Sequence, residues 1–173
     1  MRIIVTRPQH DVTTKYLSCW AGEIINFAKK KGIEVCDLAR EKANRAEFEG
    51  RVKKIKPEAV FLNGHGSDDC VTGHDNGVIV STDENCGILN DKITYALSCN
   101  SGKKMEASNQ VMISLLKGNS AKDASERSKN TFKDHYSRLS SSNADQDSLQ
   151  AAQLLRWDMR NQVCLGDVGA KLL

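Results

Sequence analysis

The chain has 173 residues, of which 39% are hydrophobic and 27% charged, enough to bury one substantial core and far from a disordered composition. Its 25 Lys and Arg against 22 Asp and Glu leave a net charge of +3, and no basic run interleaves with aromatics, so no nucleic-acid partner is expected. No apolar run approaches the roughly 18–20 residues of a membrane span, and the short one before Arg7 and Pro8 is no signal peptide, so no membrane partner and a cytoplasmic location are expected.

Arg2–Thr6 (RIIVT) reads as a first, central strand stopped by Pro8. Asp11–Lys31 holds a helix, capped by Thr13 or Thr14, with Leu17, Trp20, Ala21, Ile24, Ile25 and Ala28 at helical spacing. Lysines and Gly32 end it. Ile33–Leu38 alternates as a second strand, Ala43–Lys56 is a charged helix closed by Pro57, and Glu58–Asn63 is a third strand. The order β-α-β-α-β predicts an α/β fold with a mostly parallel sheet. Reactive groups in such sheets gather beyond the C-terminal ends of the strands.

Glycine, Asp and Asn crowd residues 64–90, the composition of turns and loops. Val78–Ser81 fits a short strand or hairpin arm, Cys86–Asn90 a helical turn, and Ile93–Ser98 the fourth main strand. Beyond Gly102 the chain turns helical, with helices expected at Met105–Lys117, Ala121–Leu139 and Ser148–Arg160, and a polar linker at Ser140–Asp147. One domain over 1–173 is expected, with its sheet core in 1–102 and a helical third in 103–173.

Two apolar runs end in reactive side chains. Val60–Ser67 (VFLNGHGS) delivers His65 between two glycines, and Ile93–Gly102 (ITYALSCNSG) delivers Cys99. An imidazole beside a thiol gives it the thiolate character a nucleophile needs. Backbone N–H groups near Cys99 and Gly66 are candidates for holding an oxyanion. The six cysteines form no CxxC pair, so no structural zinc site is expected; the thiols are expected to be reduced, with Cys19 and Cys36 as packing residues. His65, His74, Asp68, Asp69 and Cys70 are acceptable metal ligands but follow no recognised spacing, and neither metal nor cofactor is expected. His74 reads as a turn residue, His10 and His135 as surface residues.

A hydrophobic strand ending in His-Gly, then a hydrophobic strand ending in a small residue and Cys, resembles the caspase/gingipain/clostripain-like cysteine peptidases, and the gingipain-like and CHAT-like members more than true caspases. The resemblance covers roughly residues 1–102. It implies a caspase-like three-layer α/β/α sandwich and a thiol protease acting on a peptide or protein substrate. Carried over, it makes His65 the general base and acid, Cys99 the nucleophile, and the backbone of Gly66 and Cys99 the oxyanion donors. In such proteins a charged residue after the first strand lines the pocket for the side chain before the scissile bond. Asp11, favouring Lys or Arg there, is preferred to Arg7, which would favour an acidic residue. These proteins usually continue from the Cys motif into another strand. Here SCNSGKK runs straight into MEASNQVMISLLKG, which suggests a segment absent between Gly102 and Met105. The alternative reading is a catalytically silent interaction or regulatory module of the same fold.

Overall fold

The computed structural model describes residues 1–67, 69–98, 113–140, 145–146, 148–150, 152–153, 156 and 167–172. The chain runs β1 (Arg2–Arg7), α1 (Val12–Lys30), β2 (Glu34–Ala39), α2 (Arg45–Ile55), β3 (Ala59–Asn63), β4 (Cys70–Thr72), β5 (Val78–Ser81), β6 (Ile93–Leu97) and, further on, α3 (Ala121–Leu139). Ile3 to Thr6 of β1 and every residue of β3 are buried. Runs of that kind belong in the middle of a parallel sheet covered on both faces. The sheet order is β2-β1-β3-β6, and all three pairings are parallel.

Alternation along the strands sorts the core into two layers. Ile4, Val60 and Leu62 pack with Phe48 and Val52 of α2 and with Ile79 and Val80 of β5. Ile3, Val5, Ala59 and Phe61, which alternate with them, are equally buried and face the other way. That face is covered by α1, whose buried stripe is Leu17, Ala21, Ile24, Ile25 and Ala28. Right-handed crossovers from β1 to β2 and from β2 back past β1 to β3 require helices on opposite faces. The expected α/β architecture with a mostly parallel sheet is therefore present.

Local chemistry sets the helix ends. The cap of α1 is Asp11, two or three residues ahead of the expected Thr13 or Thr14. Its Oδ1 accepts the Thr14 backbone N–H at 2.7 Å, while its own N–H donates to Thr14 Oγ1 at 3.1 Å. This reciprocal capping box satisfies two N–H groups that the helix start would otherwise leave without partners. At the far end Gly32 takes φ +73°, so that the Ile33 N–H returns to the Ala28 carbonyl at 3.0 Å. Helix α2 starts on Asn44, whose side chain accepts from the Glu47 N–H, and stops at Lys56 ahead of Pro57. Strands β4 and β5 form an antiparallel hairpin with a register shift between Val71 and Thr72. Cys19, expected to pack, instead lies exposed on α1, whereas Cys36 packs partly buried against the core.

The chain divides into two compact units at Gly102, with Met1–Gly102 forming the sheet unit and Lys103–Lys171 the helical one. In the helical unit α3 starts on Ser120, whose Oγ accepts from the Asp123 N–H, and buries Ala124, Ser128 and Phe132 at helical spacing. The N–H groups of Ala121 and Lys122 donate to the carbonyls of Ala170 and Val168, tying the end of the chain to the start of α3. The expected helix Met105–Lys117 lies outside the described residues up to Met112, as does much of the expected helix Ser148–Arg160. Among the described residues no helix is long and apolar enough to cross a membrane.

Candidate functional site

The two central strands lead in opposite directions. From β1 the chain crosses through α1 to β2 on one flank, and β3 is followed by β6 on the other. The C-terminal ends of β1 and β3 therefore mark the switch point, the place where ligands bind in open α/β sheets. Beneath it the strand ends are clasped by buried side chains. The Asn63 N–H donates to Thr6 Oγ1 at 2.8 Å, that hydroxyl donates to the Asn63 carbonyl at 3.1 Å, and the Asn63 amide donates to the Thr6 carbonyl at 2.7 Å.

His65 stands two residues past β3, and its flanking glycines are sterically required. A Cβ on Gly64 would lie 1.9 Å from the Thr72 carbonyl oxygen, and one on Gly66 would lie 2.7 Å from Ser98 Cβ and Oγ. Asn63 pairs with Leu97, and the Gly64 N–H donates to the Leu97 carbonyl at 3.2 Å. The His65 loop thus runs alongside the end of β6, and Ser98 touches Gly66. Cys99 follows Ser98 in the chain; it lies outside the described residues, and nothing further is stated of its position. Gly66 also bridges to Val71, and the His65 carbonyl accepts from the Thr72 N–H at 2.8 Å and from the Thr72 hydroxyl at 3.2 Å. The hairpin therefore anchors the backbone beneath the imidazole.

The ring itself is held by Asp11. His65 Nε2 lies 2.5 Å from Asp11 Oδ2, with the two side chains 24% and 38% exposed. Burial alone would raise the Asp11 carboxyl, but the hydrogen bonds from the Thr14 backbone, His65 and the Thr14 hydroxyl outweigh it and hold the group well below the usual carboxylate range. A charged carboxylate at Nε2 favours the tautomer with its proton there, leaving Nδ1 as the basic nitrogen. Of the two residues expected after the first strand, Asp11 joins His65 and Arg7 does not. Arg7 reaches across β2 to Asp37, with Nε–Oδ1 at 2.8 Å and Nη2–Oδ2 at 2.5 Å, and donates to Ser18 of α1. Its guanidinium knits β1, β2 and α1 together.

Two further histidines stand beside His65: His74, which does lie in a turn as its sequence suggests, and His10, which is largely covered rather than a surface residue. The His10 ring meets those of His65 and His74 edge-on, at centroid distances of 5.9 and 5.5 Å. Their side chains are only 10% and 19% exposed. The available signal was a repeated His-Asp pair, His10-Asp11 and His74-Asp75, each in a loop after a strand. Among the described residues two sets have the donor types and spacing to hold a metal ion, His10–Asp11–His65 and His10–His74–Asp75. Asp69 and Cys70, the acidic and thiol groups considered from sequence, instead contact Ser67. Asp68 lies outside the described residues.

Compared with protein-family models, with curated proteins and with solved structures, the chain gives no match.

Proposed function

We propose that the chain is a cysteine endopeptidase of the caspase-like α/β/α type, with Cys99 as nucleophile and His65 as general base and acid. The observation that carries this reading is the pairing of β3 with β6. It brings the loop of His65 against Ser98, the residue before Cys99, at the C-terminal edge of a parallel sheet. The carboxylate of Asp11 on His65 Nε2 adds the orienting third group that an acid–base histidine needs.

In this mechanism His65 takes the Cys99 proton on Nδ1 and the thiolate attacks the peptide carbonyl carbon. Backbone N–H groups of Gly66 and Cys99 receive the oxyanion. The imidazolium returns its proton to the leaving amine, and a thioester joins the acyl group to Cys99. Water, deprotonated by His65, then attacks the thioester carbon, the C–S bond breaks to release the acid, and the imidazolium returns its proton to the Cys99 thiolate. Asp11 acts through His65 as a positioning residue, fixing the ring and stabilising the imidazolium. With one carboxylate oxygen on Thr14 and the other on His65, Asp11 is engaged at both ends, which favours this role over lining a substrate pocket.

A peptide-library cleavage assay tests the proposal. Cleavage with a defined preference before the scissile bond, abolished in Cys99→Ala and in His65→Ala, is the expected result. A silent interaction module of the same fold is the second reading, favoured by the direct run from SCNSG into MEASNQ where a further strand is usual. Absence of cleavage across the library in the intact, folded chain decides for it.

A further inference from the structure

We infer that His10, His74 and Asp75 form a site for a divalent transition metal of the zinc class, next to the proposed catalytic centre and distinct from it. One ring nitrogen from each histidine and one carboxylate oxygen of Asp75 lie within 4.8 Å of one another. Nitrogen and carboxylate oxygen suit zinc, whose bonds of roughly 2.0–2.2 Å draw ligands to within about 3.5 Å of each other. Asp75, 81% exposed on a turn, is the ligand with room to close that gap.

The ring nitrogens supply an independent observation. His10 Nε2 faces Asn76 Oδ1 at 3.2 Å and Asp11 Oδ2 at 3.4 Å. His74 Nε2 lies 3.7 Å from Asp75 Oδ1 and 3.9 Å from Glu41 Oε1, beyond hydrogen-bond distance of either. The Asn76 amide oxygen, at hydrogen-bond distance, orients the His10 ring in the way that outer amides orient metal-binding imidazoles. Both Nδ1 atoms are buried and, among the described residues, without a hydrogen-bond partner, and the His10 side chain is nine-tenths buried. A buried polar atom left unpaired is costly, and a cation removes that cost. The other set, His10–Asp11–His65, has no such need, because Asp11 and His65 already satisfy each other at 2.5 Å.

The backbone is prepared for a ligand at position 74. The His74 N–H donates to the Ala43 carbonyl at 2.8 Å, and a Cβ on Gly73 would strike that same carbonyl oxygen. An ion here cross-links the loop after β4 to the loop after β1, and so stiffens the segment that presents Asp11 to His65.

Calorimetric titration of the whole chain with Zn²⁺, alongside Co²⁺ absorption, tests the site. The expected result is saturable binding of one ion per chain, weakened about tenfold or more by His10→Gln and by His74→Gln and left within about twofold by His65→Gln. Asp75→Ala alters an exposed side chain and so keeps the fold, and it too is expected to weaken binding. No saturable binding, affinity unchanged in His74→Gln or in Asp75→Ala, loss in His65→Gln, or a thiolate-to-cobalt charge-transfer band each overturns the inference. The titration reads no cleavage and the peptide library reads no metal, so failure of the metal site and failure of the peptidase reading are told apart by separate experiments.

Discussion

The Asp11 carboxylate performs two tasks at once: Oδ2 lies 2.5 Å from His65 Nε2, while Oδ1 accepts the Thr14 N–H and starts α1. Helix formation and ring orientation therefore share one side chain. Burial works against the charge, but the Thr14 N–H, His65 and the Thr14 hydroxyl outweigh it and keep that carboxylate charged where the imidazole needs it.

The two tasks separate by substitution. Asp11→Ala removes both and is expected to cost about 0.5–2 kcal/mol of stability through the lost cap. Asp11→Ser restores a capping oxygen but is too short to replace the contact with His65. It is expected to recover most of the stability in urea melts while the turnover of cleaved peptide stays at least about tenfold below that of the parent chain. Recovery of both together would mean that Asp11 serves only the helix.

Acid should remove the contribution of Asp11. Its folded-state carboxyl lies below the ordinary value near 3.9, so the folded chain holds fewer protons at this group than the unfolded chain does. The stabilisation is complete above the unfolded value and is lost as pH falls towards the folded one. The stability difference between the parent and Asp11→Asn, from urea melts, is expected to be larger at pH 7 than at pH 3. Glu58, held low chiefly by the Arg2 backbone N–H, shifts in the same direction and is unchanged by this comparison.

The glycines around His65 offer a steric test. Gly64→Ala and Gly66→Ala push a methyl into the Thr72 carbonyl and into Ser98, and each is expected to cost about 1–3 kcal/mol or more. Gly50→Ala, on the exposed face of α2 with nothing within 4 Å of the new atom, is expected to stabilise by up to about 1 kcal/mol. Thermal melts of the three variants check both signs.

Arg7→Ala breaks a two-pronged pair with Asp37 and is expected to destabilise by about 1.5–3 kcal/mol. Because the guanidinium serves β2 and α1, the preference for the residue before the scissile bond is expected to stay as in the parent chain. A changed preference in the peptide library would return Arg7 to the substrate pocket.

Much of the sheet was legible because its strands are written as unbroken apolar runs. RIIVT and AVFLN can be satisfied only in a covered parallel sheet, and the helical stripe from Leu17 to Ala28 supplies one cover. Glycines on both sides of a reactive residue are a mark of close backbone approach, and Gly64 and Gly66 do lie against Thr72 and Ser98. The cap of α1 was misplaced by two or three residues because Asp11, Thr13 and Thr14 are all good capping residues, and only the pairing of Asp11 with Thr14 decides among them. The meeting of His10 and His74 could not be read from the sequence. Their meeting depends on β1 lying beside β3 and on the β4–β5 hairpin folding back, and both relations join residues distant in sequence.

The most direct measurement of the central claim is alkylation of the native chain by iodoacetamide, or by a peptidyl acyloxymethylketone, with the modified cysteines mapped by mass spectrometry. The pairing of β6 with the His65 loop predicts selective labelling of Cys99 ahead of Cys19, Cys36, Cys70, Cys86 and Cys164, slowed about tenfold or more in His65→Ala. Slow, uniform labelling of all six thiols, indifferent to His65→Ala, would contradict the account.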